Sequence, residues 1–207
     1  YPTTIAGATN NVDTTIIDNT TATPTTETNG MEKVILKIVA CDASENPLKD
    51  TNGNYLTINE VPEGSKAYYK VFAFAPDTTV FNDSTKLAIQ GGTVTVSTAN
   101  ISGGSVGIST SQNKIDGSED YISKSTVSVT VGTTVFEVQT LDDYKAETET
   151  NETFKVVIDS NSYKHPNNDV KDALYENITI DNSGVTTTIK DNVANKNQTI
   201  TAGTPVD

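Results

Sequence analysis

Short stretches in which apolar and polar residues alternate recur along the chain, and a helical period is nearly absent. Alternation with period two sends successive side chains to opposite faces of an extended strand, so one face is buried while the other stays in water. The stretches KVILKIVA (33–40), KAYYKVFAF (66–74), GTVTVST (92–98) and KSTVSVTV (124–131) read this way. So do TVFEVQTL (134–141), TFKVVID (153–159), ENITID (176–181) and VTTTIKD (185–191). Turn formers part them: Asn52-Gly53, Gly91-Gly92, Gly103-Gly104, Gly132 and Asn182-Ser183-Gly184. Only NNDVKDALYE (167–176) has room for a helical turn. Many short strands with no helix between them fold as a sandwich or a barrel.

The chain has 207 residues, 34% of them hydrophobic. That supports one sandwich-sized core with a fragment of a neighbour. The formal charge is −13, and all 14 basic residues are Lys. Such a surface repels phosphate backbones, which argues against nucleic acid as a partner, and it attracts divalent cations. The one cysteine, Cys41, lies in a strand pattern and reads as a small buried hydrophobe. No apolar run reaches the ~18–20 residues of a membrane helix. The chain opens at Tyr1 without Met and with no signal peptide, which reads as a segment of a longer protein. His165 is the only histidine, in the loop sequence SYKHPNND. No nucleophile elbow, Cys–His signature, phosphate loop or zinc motif accompanies it, so it reads as an exposed loop residue and no enzyme is expected.

LDDYKAETETNETF (141–154) holds five carboxylates, Asp142, Asp143, Glu147, Glu149 and Glu152, with a single Lys among them. Taken alone the stretch has two readings, a solvated loop or a cation site, and a lone acidic turn is usually the former. DASENPLKDTNGNYL (42–56) is a second acidic turn. Asp50, Asn52 and Asn54 alternate like the first ligands of a calcium loop, but the Gly is one position early and the closing Glu is missing. A hairpin turn through Asn52-Gly53 is the expected structure. VDTTIIDN (12–19) echoes VTTTIKDN (185–192) at an offset of 173, and TATP (21–24) echoes TAGTP (201–205). The plain reading is a tandem array. It divides the chain into the last strand of a preceding repeat (1–19), a linker (20–30), one repeat (31–192) and the linker to the next (193–207).

Five segments in order resemble the Calx-β domain: VPEGSKAYYKV (61–71), IDGSEDYIS (115–123), VFEVQTLDD (135–143), ETNETFKVVI (149–158) and VTTTIKDN (185–192). The resemblance implies an all-β, immunoglobulin-like Greek-key sandwich, here of about seven to nine strands, binding Ca²⁺ at one end. It places Glu63, Asp120, Asp142, Asp143, Glu152 and Asp191 as ligands, with Glu147 and Glu149 competing for one place. The sequence departs from the family in a longer acidic loop and in its last cluster, Lys190-Asp191-Asn192, which carries fewer acids. It also carries extra length at 41–60 and 160–176.

Tandem copies with Thr-rich linkers resemble the repeats of large RTX-type bacterial adhesins exported by type I secretion. The expectation is a Ca²⁺-rigidified, monomeric spacer at the bacterial surface. Its partners are the neighbouring repeats of its own chain. The alternative is a module that grips a peptide or glycan on a host-cell or biofilm surface. Tyr163 and Tyr175 flank the second insert and could serve that alternative, although packing is the plainer role for both.

Overall fold

The computed structural model describes residues 33–75, 78–87, 91–100, 108–109, 120–142, 152–165 and 177–190. Within them lie eleven strands and no helix. β1 (Lys33–Cys41), β3 (Lys66–Phe74), β8 (Val135–Gln139) and β10 (Asn177–Ile180) form a four-stranded sheet in the order β10-β1-β3-β8. β2 (Ile58–Pro62), β4 (Thr93–Asn100), β7 (Val127–Thr130), β9 (Glu152–Ile158) and β11 (Val185–Lys190) form a five-stranded sheet in the order β2-β11-β9-β4-β7. A two-stranded ribbon joins β5 (Ile108–Ser109) to β6 (Tyr121–Ile122). The fold is an all-β, immunoglobulin-like sandwich, with nine strands in its two main sheets and two more in the ribbon.

Alternation explains which side chains meet between the sheets. Val34, Leu36, Ile38 and Ala40 of β1 point inward, as do Ala67, Tyr69, Val71 and Ala73 of β3. They meet Val94 and Val96 of β4, Phe154, Val156 and Ile158 of β9, and Val185 and Ile189 of β11. β11 carries three consecutive threonines, yet its pattern keeps strict alternation, and Thr187 is fully buried at 0% exposure. Its hydroxyl meets the Tyr69 hydroxyl at 2.5 Å, which satisfies both polar groups inside the core.

β1 is apolar on both faces, and the structure shows why. Its outward residues Val39 and Cys41 join Tyr55 and Phe74 in a second cluster, flanked by Ile35, Tyr68, Phe72 and Phe81. The chain between β1 and β2, together with residues 78–87, covers the outer face of the four-stranded sheet. Two short hairpin loops shape the first of these covers. In each an Asp side chain accepts from the backbone two and four residues on: Asp42 from Ser44 and Asn46, and Asp50 from Asn52 and Asn54. The Asn52-Gly53 turn is therefore the hairpin that was expected, with Gly53 at φ 82°.

Three expectations need correction. β2 has no counterpart among the predicted strands, because Pro62 and the Glu-Gly turn mask a five-residue edge strand that pairs in parallel with β11. The predicted strand 124–131 is shorter. Thr126 sits at φ 59°, which breaks the extended run, and Lys124 bonds through its backbone to Thr98 instead. His165 is half-buried rather than exposed, next to Lys164, whose backbone pairs with Thr93 of β4. The segments that carry the internal echo at 12–19, both linkers and Tyr175 lie outside the described residues.

The register also fixes where the chain enters and leaves. β3 starts at Lys66 opposite Gln139 and runs away from that end, and β1 runs antiparallel to it, with Cys41 opposite Tyr68 and Ile35 opposite Phe74. Lys33 therefore lies at the far end of the sandwich. β11 runs in parallel with β2 and finishes with Lys190 opposite Pro62, at the Lys66 end. Entry at Lys33 and exit at Lys190 are at opposite poles.

Candidate metal centre

The pole at which the chain leaves collects carboxylates from four elements. Glu63 follows β2, and its backbone N–H donates to the Lys190 carbonyl at 2.9 Å. Glu152 opens β9 opposite Ile189, one residue before that same Lys190. Asp120 precedes β6, and its carbonyl accepts from the Leu141 N–H at 2.8 Å. Asp142 is the next residue after Leu141, beyond the end of β8. It packs beside Gly64: a Cβ on that glycine would stand 3.4 Å from the Asp142 Cβ. Gly64 is at φ 70°, so the turn that carries Glu63 needs a residue free to adopt the left-handed region.

Three of these carboxylate residues are deeply buried: Glu63 at 8% exposure, Asp120 at 4% and Glu152 at 4%. Acidic residues are rarely buried to this degree unless paired or coordinated. Asp142 is half-buried, with its Oδ1 shielded from solvent. All four are engaged by neighbours in the fold, so an added cation would join an existing network. Tyr121 lies behind them, 1% exposed and stacked on Phe154 with ring centroids 4.5 Å apart. Burial raises the Tyr121 phenol pKa above its usual value, which keeps it neutral.

Of the eight candidate ligands, the structure brings Glu63, Asp120, Asp142 and Glu152 to one pole. Asp143, Glu147, Glu149 and Asp191 lie outside the described residues. Among the described residues no three of His, Cys, Asp or Glu form a group able to hold a metal ion by themselves. The donor chemistry nevertheless fits one class of ion. Every donor in this set is a carboxylate, the hard oxygen ligand of Ca²⁺ and Mg²⁺, with no nitrogen or sulfur to favour a softer metal.

Sequence reasoning missed the scaffold of this pole. Gln139 ends β8, Thr140 follows it, and both bind the backbone of the turn that carries Glu63. It also missed a second polar cluster on the outer face of the four-stranded sheet. There Asp83 accepts from the Tyr55 hydroxyl and from Lys49 and Lys86, whose ammonium groups hold its carboxyl well below the usual range. Lys37 lies 4.4 Å from the Phe81 ring centroid and pairs with Asp181. Apolar residues on both faces of β1, interrupted only by Lys37 between Val34 and Cys41, were the available signal that both faces are covered. Asp50, the rival start of a calcium loop, spends its carboxylate on the hairpin instead. Those backbone bonds lower its pKa.

No protein-family model and no curated protein matches the chain. Among solved structures it is similar to one titled as the crystal structure of the apo form of the Calx CBD1 domain. The identity is 11%, the TM-score is 0.37, and the alignment covers 77% of this chain and 97% of that one.

Proposed function

We propose that this chain is a calcium-binding β-sandwich repeat that serves as a spacer in an extracellular bacterial adhesin. One observation carries the cation reading: three carboxylate residues, each more than nine-tenths buried, gather at one pole of the sandwich. Glu63, Asp120, Asp142 and Glu152 would hold the ion. The remaining oxygens, toward the six to eight that Ca²⁺ takes, would come from Asp143, Glu147 or Glu149, Asp191 and water. The ion supplies positive charge that offsets the mutual repulsion of the acids. The spacer reading is supported by the opposite placement of entry and exit, which lets copies follow one another end to end. Placement at an adhesive or biofilm surface is carried by the tandem echo and by the likeness to adhesin repeats.

Calorimetric Ca²⁺ titration, with melting curves in Ca²⁺ and in EDTA, tests the cation reading. Saturable binding is expected, with a stabilisation of about 2.7 kcal/mol at a hundredfold excess over Kd. For a chain of this size that raises Tm by roughly 5–11 °C. An absence of binding heat together with superimposable melting curves would end the proposal. The spacer reading is tested separately, by small-angle scattering of two copies joined in tandem. Equal flexibility in Ca²⁺ and EDTA would count against it.

A second reading, a ligand-binding module of the same adhesin, is favoured by a cleft of about 440 Å³ between the turn after β9 and strand β10. Ser160, Asn161, Tyr163, Ile178, Ile180 and Asn182 line it. Amide and hydroxyl groups beside two isoleucines, with no charged side chain in the lining, suit a neutral glycan or peptide better than a charged ligand.

A further inference from the structure

The carboxylates of the exit pole come from both sheets. Glu63 hangs from β2 in the five-stranded sheet, and Asp142 from β8 in the four-stranded one. A shared cation needs them held in a fixed relation, yet neither strand pairs with the other. β3, which follows the Glu63 turn, pairs with β8 as far as Lys66 and Gln139, and beyond that rung two residues carry the connection into the turn itself. Gln139 Nε2 reaches the Gly64 carbonyl at 3.1 Å and the Ser65 carbonyl at 3.0 Å, and also lies 2.8 Å from its neighbour Thr140's carbonyl. Thr140 is fully buried at 0% exposure. Its hydroxyl lies 3.0 Å from the Pro62 carbonyl and 2.9 Å from the Ser65 carbonyl, and it accepts from the Ser65 N–H at 3.0 Å. The Thr140 backbone N–H donates to the Ser65 carbonyl at 2.9 Å. The carbonyls of Pro62, Gly64 and Ser65 are thus all engaged by residues lying just before Asp142.

From this geometry we infer that Gln139 and Thr140 are positioning residues. They lock the Pro62–Ser65 turn to the end of β8 and so set Glu63 and Asp142 in register for a common cation. The inference rests on the calcium reading above and says which groups prepare that site before the ion arrives. The partners that orient a metal's own ligands are worth about 10–100-fold in affinity elsewhere, because a mobile ligand must be ordered during binding. Both residues are neutral, so their contribution is geometric and not a matter of added charge.

The test uses Thr140→Val, which keeps the shape and removes the hydroxyl, and Gln139→Leu at the half-exposed rim. Thr140→Ser serves as the conservative rescue. Each is titrated with CaCl₂ by calorimetry, and each is followed in EDTA by far-UV circular dichroism and by hydrogen exchange at the Ser65 amide. Expected results are folded proteins in EDTA, faster exchange of Ser65 in Thr140→Val, and Kd raised at least about tenfold by Thr140→Val and by Gln139→Leu. Thr140→Ser should stay within about threefold of the parent. If the parent binds Ca²⁺ and both variants stay within about twofold of it, the positioning role is overturned while the calcium reading stands. If the parent binds no Ca²⁺, both fall together. Should Thr140→Val fail to fold, Gln139→Leu decides alone, since its side chain leaves the interior unchanged.

Discussion

Lys37 is the least exposed of the lysines that form ion pairs among the described residues, its side chain only 6% accessible, while its partner Asp181 keeps 22%. The Ser183 hydroxyl lies 3.2 Å from the same ammonium, and the Phe81 ring centroid 4.4 Å away. Replacing Lys37 by Met keeps the apolar stem against Phe81 and deletes the charge. Asp181 is then left partly buried without its cation. Removing one partner of a buried pair typically costs 3–5 kcal/mol, and the partial water access of Asp181 puts this case at the lower end, about 3 kcal/mol. For a chain of this size that lowers Tm by roughly 6–12 °C. The double variant Lys37→Met/Asp181→Leu should recover most of the loss, because an apolar pair of similar volume has no charge left to desolvate.

The same pair leaves a mark on the acid limb of stability. Asp181 is lowered below its ordinary value of 3.8: burial pushes it up, but bonds from Lys37 and Ser183 outweigh that. A depressed folded-state pKa adds stability that is present above about pH 4 and is lost as pH falls through the lower, folded value. Thermal melts of the parent and of Lys37→Met between pH 7 and pH 2.5 measure both effects. The parent should lose this contribution on acidification, and the variant should show a flatter profile. A cost below about 1 kcal/mol at pH 7, or an equal cost for Lys37→Met in an Asp181→Leu background, would refute the reasoning.

Three further outcomes follow from the geometry. Gly92 is at φ 74°, and a Cβ there would stand 2.5 Å from the Tyr163 ring, so Gly92→Ala should cost about 2–4 kcal/mol in a urea melt. Much of that cost should vanish in a Tyr163→Ala background, and an unchanged cost there would show that the ring is not the obstacle. Glu45 occupies in its hairpin the left-handed position that Gly53 fills in the next one, at φ 66°. Glu45→Gly should therefore stabilise by about 0.5–1 kcal/mol despite losing the exposed pair with Lys70, and a measured destabilisation would contradict this. Burial pushes the Cys41 thiol up to about 12, so native protein at pH 8 should resist iodoacetamide and react only on unfolding, as read by mass spectrometry.

The sandwich was legible because alternation is a local signal: β9 and β11 keep it over their whole length, and β3 keeps it up to Ala73, where Phe74 turns into the outer cluster. β2 was not legible, since five residues ending in proline carry too little pattern, and its strand character comes from pairing with β11 more than 120 residues away. The carboxylates at the exit pole were candidates through a resemblance, while their burial depends on cross-strand register that no local pattern encodes. Gln139 and Thr140 look in the sequence like ordinary strand-end residues. Their role comes from a turn 75 residues earlier in the chain, which only the folded chain brings within reach. The lysine-aromatic cover of the four-stranded sheet was hidden in the same way: Lys37 interrupts the apolar run of β1, and Asp181, which neutralises it, and Ser183, which accepts from it, lie at the other end of the chain.

In the spacer proposed above, the direction of the strands would give the exit pole a mechanical role. The first two strands of the main sheets each pair in parallel with one of the last two: β1 with β10, and β2 with β11. Tension applied between Lys33 and Lys190 runs along these parallel ladders, so several backbone hydrogen bonds must break together and not one after another. The β2–β11 ladder ends at Pro62 and Lys190, one residue before Glu63 on one strand and before Asp191 on the other. A cation bound there would tie the last rung of the ladder that carries the load, where fraying would otherwise begin. The acids at this pole and the parallel closure of the fold therefore bear on the same strand end. On this reasoning Ca²⁺ should raise the unfolding force of the domain by more than its effect on equilibrium stability implies.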